Sequence, residues 1–287
     1  MTQEELNRVL ENHLHWFQQD CDGWDKMRAV LDGENLDGLN LNGAVLNGAS
    51  LNGASLNKAL LNEASLNGAS LNEASLNWAS LNGTLLDEAS LNRASLNWAS
   101  LNGAVLNGSS LNRTSLNWAS LNGALLNEAS LNEASLNWAS LNGAVLNEAS
   151  LNEASLNGAV LNGASLDGAS LNRVINLPFI PFACPDIGAF IGWKKSSGKI
   201  IKLEIPEDAK RCSATSDKCR CNKAKVLEIQ EIDGSISDIT KISSDYDIKF
   251  IYEVGKTVSV KDFCEDRWRE CSQGIHFFIN RQSAVEY

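Results

Sequence analysis

The 287 residues contain no apolar run of membrane-spanning length, no P-loop and no dinucleotide-binding fingerprint, which argues against a membrane-spanning helix and the common nucleotide enzymes. No secretory signal is legible and the seven cysteines are an odd number, so reduced thiols and a cytoplasmic location are expected. C-x-x-C pairs are also missing. Cys212, Cys219 and Cys221 are separated by six residues and then by one, which does not match a zinc ribbon, so no metal or other cofactor is assigned. Basic residues are scarce in the middle of the chain. Residues 29–173 hold four bases against twelve acids, whereas residues after 173 hold seventeen of each. Most of the formal charge of −11 therefore sits on that middle stretch, and direct nucleic-acid binding by it is not expected.

That stretch is a repeat. A Leu falls at every fifth position from Leu31 to Leu171, giving 29 units of the form Ala-Ser-Leu-Asn-x, as in Ala94-Ser95-Leu96-Asn97-Trp98. Side chains alternate along an extended segment, so Ala and Leu share one side while Ser and Asn share the other. A turn at Asn-x resets the phase. A strict period of five rotates around an α-helix instead of making a stripe, and a disordered tract has no reason to keep an unbroken apolar rank. Trp78, Trp98, Trp118 and Trp138 recur at every twentieth residue, so four units make one coil. About seven coils stacked at ~4.8 Å give a shaft of roughly 35 Å.

The run resembles the pentapeptide repeat family. The resemblance implies a right-handed quadrilateral β-helix with the Leu and Ala ranks pointing inward. Where the family usually has Asp or Asn before the Leu and Ser, Thr or Arg after it, this chain has Ser before and Asn after, so Asn ladders are expected along the axis.

Sorting position x by its phase separates four corners: one of Trp, one dominated by Gly, one mixing Gly and Glu, and one of Glu and Arg. Type II turns, which need φ > 0 at the second central residue, are expected on the Gly corner and a different turn on the Trp corner. Just past the Gly corner runs an apolar stripe that includes Val105 and Leu125. The Trp ladder is either a structural stack or a contact surface for a partner protein or a second copy. The resemblance also implies a DNA-mimic role toward DNA gyrase or another topoisomerase, for which Glu88, Glu128, Glu133, Glu148 and Glu153 are the candidates. Lys58, Arg93 and Arg113 interrupt that acidic surface.

Residues 1–28 read as a helical cap, 29–176 as the β-helix and 177–287 as a small α+β domain. Thr2 with Glu5 forms a capping-box pattern, and Leu6, Val9, Leu10, Leu14 and Phe17 share a face of a helix over 2–19 that closes the first coil. His13 and His15, lacking an acidic or Cys partner at ligand spacing, read as solvent-side or packing residues. The Pro-punctuated segment 177–182 is expected to seal the last coil. Strands are expected over 189–195, 199–205, 224–232, 249–254, 257–260 and 274–279, with a short C-terminal helix. Stretches 205–211 and 267–278 resemble an uncharacterised module that follows pentapeptide repeats, and this implies no activity. Lys210, Arg211, Lys218 and Arg220 crowd a segment with Ser213, Thr215 and Ser216, a composition suited to phosphate. Cys271 and His276, five apart, would point to opposite faces of one strand. With no convincing catalytic constellation, the sequence reads as a non-enzymatic scaffold.

Overall fold

The computed structural model describes residues 1–180, 182–214 and 216–287, in two compact units, Met1–Phe179 and Ile180–Tyr287. Within the first unit, the residue before each Leu bridges in parallel to its counterpart twenty positions on, as Ser50 to Ser70 and Ser70 to Ser90. The Leu amide donates up the axis (Leu51 N to Ser70 O, 2.7 Å) and the residue before Leu donates down (Ser70 N to Ala49 O, 2.9 Å). Leu and Ala side chains fill the lumen, buried along nearly the whole shaft. Thr84, Ser109 and Thr114 break the Ala rank without leaving orphan hydroxyls, because these donate to the carbonyls of Leu61, Leu106 and Leu91.

The corners correct one expectation. Trp78, Trp98, Trp118 and Trp138 sit at φ 62, 61, 61 and 60, as left-handed as Gly83 and Gly103 at φ 64. Each corner is closed by the same i to i+3 bond, Ala79 N to Leu76 O (3.1 Å) on the Trp edge and Thr84 N to Leu81 O (3.2 Å) on the Gly edge. All four corners therefore make one turn type, of the type II class. Stacking decides this. Each corner amide must reach the next coil, as Trp78 N reaches Asn97 O at 3.0 Å, and that ladder over-determines a conformation costing about 1–2 kcal/mol per non-Gly residue.

Helix α1 (Gln3–Gln18) begins with the capping box at Thr2 and Glu5. It is rotated relative to the apolar face read from the sequence. Leu6 and His13 are fully buried, whereas Leu14 is exposed and Phe17 is 50% exposed. His13 turns inward because both ring nitrogens find backbone partners: Ala29 N donates to Nδ1 (3.0 Å), and Nε2 lies 3.2 Å from Asn47 O. Trp16 stacks on His13 with centroids 5.0 Å apart and lies over Gly48. Gln3 exchanges hydrogen bonds with the Asn40 backbone at 2.9 and 2.8 Å. At the other end of this unit Phe179 is 90% exposed while Leu177 and Pro178 are half-buried; Pro181 of that segment lies outside the described residues.

The second unit holds strands β1 (Phe190–Ser196), β2 (Lys199–Ile205), β3 (Arg211–Ser213), β4 (Lys218–Cys221), β5 (Lys223–Gln230), β6 (Lys241–Ser243), β7 (Ile251–Glu253), β8 (Thr257–Ser259) and β9 (Ile275–Phe278), then helix α2 (Arg281–Glu286). Seven strands form an antiparallel sheet in the order β3-β4-β9-β1-β2-β5-β8, and β6 pairs with β7. One core gathers Ile201, Leu203, Ile205, Val226, Tyr252, Ile275 and Phe277; a smaller one joins Ile200 and Phe278 to Ala284 of α2. Gly192 is required on β1, because a Cβ there would lie 2.6 Å from the Phe277 ring. No helix among the described residues is long and apolar enough to cross a membrane.

Candidate functional site

The Trp corner is an ordered, partly exposed apolar ladder on the shaft. Its four indoles stack face to face at 4.9, 4.9 and 5.3 Å, with interplanar angles of 1°, 2° and 10°. The spacing is the coil pitch, so the repeat itself builds the stack. Each of the four Trp residues remains 45–57% exposed, so the ladder is open to water along four coils. The ladder stops at Gly158, where a Cβ would collide with the Trp138 ring. Val105 and Leu125 bridge each other in the stripe beyond the Gly corner, half-buried and one wall away from the indoles, so the two features do not form one patch.

The acidic candidates divide. On the Glu/Arg corner, Arg113 grips Glu133 with two bonds of 2.9 Å, Arg173 lies 3.2 Å from Glu153, and Arg93 lies 3.4 Å from Glu73. The Arg113 hydrogen bond holds the Glu133 carboxyl below the ordinary range. Glu88, Glu128 and Glu148, on the Gly/Glu corner, have no ion pair among the described residues.

In the second unit the basic candidates do not converge. The basic segment is the hairpin β3–β4, in which Cys219, Arg220 and Cys221 are all buried. Arg220 is spent on Ser272, on Asp266 O (2.8 Å) and on Gln273 O. Arg211 is spent on five carbonyl contacts, including Gly188 O (2.8 Å) and Glu207 O (2.6 Å), and Lys210 pairs with Glu265. Lys218 lines a cavity. Thr215 lies outside the described residues. Cys212, Cys219 and Cys221 are core thiols, and burial pushes the Cys221 thiol up to about 12.

That cavity, about 640 Å³, was invisible to sequence spacing. Lys194 of β1, Lys218 of β4 and His276 of β9 line it, because β4, β9 and β1 are sheet neighbours. Cys271 lies before β9 and lines the same cavity as His276, so the two do not occupy opposite faces of one strand. The His276 Nε2 is 3.0 Å from Ser272 O. Burial, then the Lys218 and Lys194 charges, push its pKa down to about 4. Near the end of α1, His15 does have partners the sequence reading missed: Asp20 at 2.7 Å and Cys21 beside it.

Comparison with known proteins places these features. The profile described as pentapeptide repeats (8 copies) matches residues 29–68, 69–108, 109–147 and 139–175, just over half of the chain. Residues 180–284 match a family of unknown function (DUF5758). No curated protein matches. Among solved structures, HetL, a pentapeptide repeat protein involved in heterocyst differentiation regulation from the cyanobacterium Nostoc sp. strain PCC 7120, is 28% identical with a TM-score of 0.40, covering 56% of this chain and 90% of its own. QnrB1, a plasmid-mediated fluoroquinolone resistance protein, is 18% identical with a TM-score of 0.34, covering 51% and 85%. A pentapeptide repeat protein from the Arabidopsis thaliana thylakoid lumen is 23% identical with a TM-score of 0.18, covering 49% and 70%. From the five-residue Leu rank, the twenty-residue bridging and the profile match together, the chain belongs to the pentapeptide repeat family, whose right-handed β-helix is the fold of residues 29–175.

Proposed function

We propose that this protein is a non-enzymatic, rigid scaffold that binds a partner protein along the Trp corner of its β-helix. The observation that carries the reading is the run of four stacked, half-exposed indoles. A stack needed only for stability gains nothing from presenting its edges to water, whereas Trp concentrates binding energy at interfaces. The lumen is filled by Leu and Ala, so recognition by the shaft belongs to its outer surface. The shaft is acidic, so the complementary partner offers apolar side chains and guanidinium groups to the indoles. In this reading α1 covers the backbone edge of the first coil and keeps copies from stacking end to end.

The test compares wild type with the double variant Trp98→Ser, Trp118→Ser. A partner captured by the wild type is expected to be lost from the variant, with an unchanged circular dichroism spectrum. Equal capture by a folded variant contradicts the proposal and leaves the ladder as structure.

A second reading, the DNA mimic acting on gyrase or another topoisomerase, draws support from the unpaired Glu88, Glu128 and Glu148 corner. The Arg partners of Glu133 and Glu153 count against extending it. If it holds, the protein alters gyrase supercoiling, and changing those three residues to Gln abolishes the effect; a wild-type protein without effect on supercoiling ends that reading.

A further inference from the structure

We propose that the cavity of the second unit is a binding site for a small phosphate monoester with a flat apolar body, its phosphate seated on Lys194 and Lys218 and its body against Phe250 and Tyr252. The proposal is independent of the scaffold reading.

Lys194 is the reason to look there. It is 9% exposed, yet no carboxylate pairs with it and no hydrogen bond reaches its ammonium among the described residues. Its contact is the face of Tyr252, 5.9 Å from Nζ to the ring centroid. Lysines are almost never buried unless paired, because taking an ammonium out of water costs several kcal/mol. The neighbouring lysines show the usual arrangement: Lys199 pairs with Glu231 at 2.5 Å and Lys202 with Glu228 at 3.4 Å. Burial accordingly depresses the Lys194 ammonium, with Asp245 opposing. Asp245 is itself occupied, accepting from the Ser197 backbone and hydroxyl at 2.8 and 2.9 Å.

A second cation stands beside it. Lys218 donates to the Tyr287 hydroxyl at 2.9 Å and has no ion pair among the described residues. His276, the third polar group of the floor, is neutral at pH 7, since its pKa lies near 4. The rim carries Lys261 with Asp247 and Asp262, a net charge of −1, but all three side chains are exposed and their charges are screened by water. The floor thus offers two ammonium groups and, among the described residues lining this cavity, no carboxylate away from the rim. That charge matches a phosphate dianion better than a single carboxylate. A volume of about 640 Å³ accommodates a metabolite-sized molecule, and a smaller cavity of about 280 Å³ adjoins it, sharing Lys194, Tyr246 and His276. The aromatic wall and the cationic floor together make the mixed lining of a small-molecule site.

Isothermal titration of the full chain with phenyl phosphate, inorganic phosphate and benzoate tests this. Phenyl phosphate is expected to bind at least ~10-fold more tightly than either inorganic phosphate, which lacks the ring, or benzoate, which lacks the second charge. Lys194→Met is expected to weaken phenyl phosphate at least ~10-fold while raising the melting temperature, because an unpaired buried charge is replaced by an apolar chain of similar shape. Lys210→Gln, on the outer surface, is expected to bind as the wild type does. The proposal is overturned if phenyl phosphate does not saturate the wild type, if benzoate or inorganic phosphate binds equally well, or if Lys194→Met binds unchanged. Should Lys194→Met fail to fold, the 13Cε resonance of Lys194 in the wild-type protein decides: a shift that saturates with phenyl phosphate supports the site, and a resonance that does not move overturns it.

Discussion

At the scale of single residues, Asn after each Leu explains itself through four bonds at once. Asn112 Oδ1 accepts from Ser130 Oγ (2.7 Å) and from the Asn132 amide (3.1 Å), while its Nδ2 donates to Ser110 Oγ (3.0 Å) and Asn92 Oδ1 (3.2 Å). Asp cannot make the last two, and carboxylates stacked at the coil pitch would repel. Asp32, Asp37 and Asp87 stand where donation is not needed. Asp32 and Asp37 lie in the first coil with no coil before them and only accept, and Asp87 follows Leu85, which offers no hydroxyl. Asn112→Asp is therefore expected to lower the stability of the shaft by about 1–3 kcal/mol in urea denaturation, whereas Asp32→Asn changes it by less than about 0.5 kcal/mol. Histidine sets a pH dependence. Burial lowers the His13 pKa, and His276 is pushed to about 4 from an ordinary value of 6.5. A folded state that binds fewer protons than the unfolded one is at full stability above pH 6.5 and loses it as pH falls toward 4. For His276 the loss between pH 7 and 5 is about 2 kcal/mol. His276→Asn is expected to flatten that slope for the second unit; an unchanged slope would place the proton uptake elsewhere.

At the scale of elements, stacking outranks local propensity. The five-residue Leu period and the twenty-residue Trp period were legible because each is a packing requirement written directly into the order of residues. The turn at the Trp corner was misread because Trp disfavours positive φ in an isolated turn, while here the ladder of amides fixes it. The register of α1 was misread for a related reason. Hydropathy ranks Leu14 and Phe17 above His13, but His13 satisfies a backbone amide and lies beside a carbonyl that would otherwise be buried without partners. Trp16→Ala is expected to cost about 2–3 kcal/mol and Phe17→Ser less than about 0.5 kcal/mol, the reverse of what the apolar pattern implies. The hairpin β3–β4 escaped notice because its charged residues mask a period-two strand. The cavity escaped because Lys194, Lys218 and His276 are united by strand order alone.

At the scale of the molecule, the proposed contact surface lies on the repetitive shaft and the proposed small-molecule site in the α+β unit. The shaft's liability is its open backbone edge. Removing residues 1–28 takes away Leu6, His13 and Gln3, which cover and bond the first coil, and is expected to produce concentration-dependent association in sedimentation velocity where the full chain shows none. A truncated chain that sediments as the full one does would show that α1 serves another purpose. The account stands most of all on the Trp corner as a contact surface. Oxidative footprinting of the protein, free and bound to its captured partner, reads that corner ring by ring by mass spectrometry. The account predicts that Trp78, Trp98, Trp118 and Trp138 become protected together on binding, while Trp24 and Trp268 react as before. Four indoles that oxidise equally in both states would contradict it.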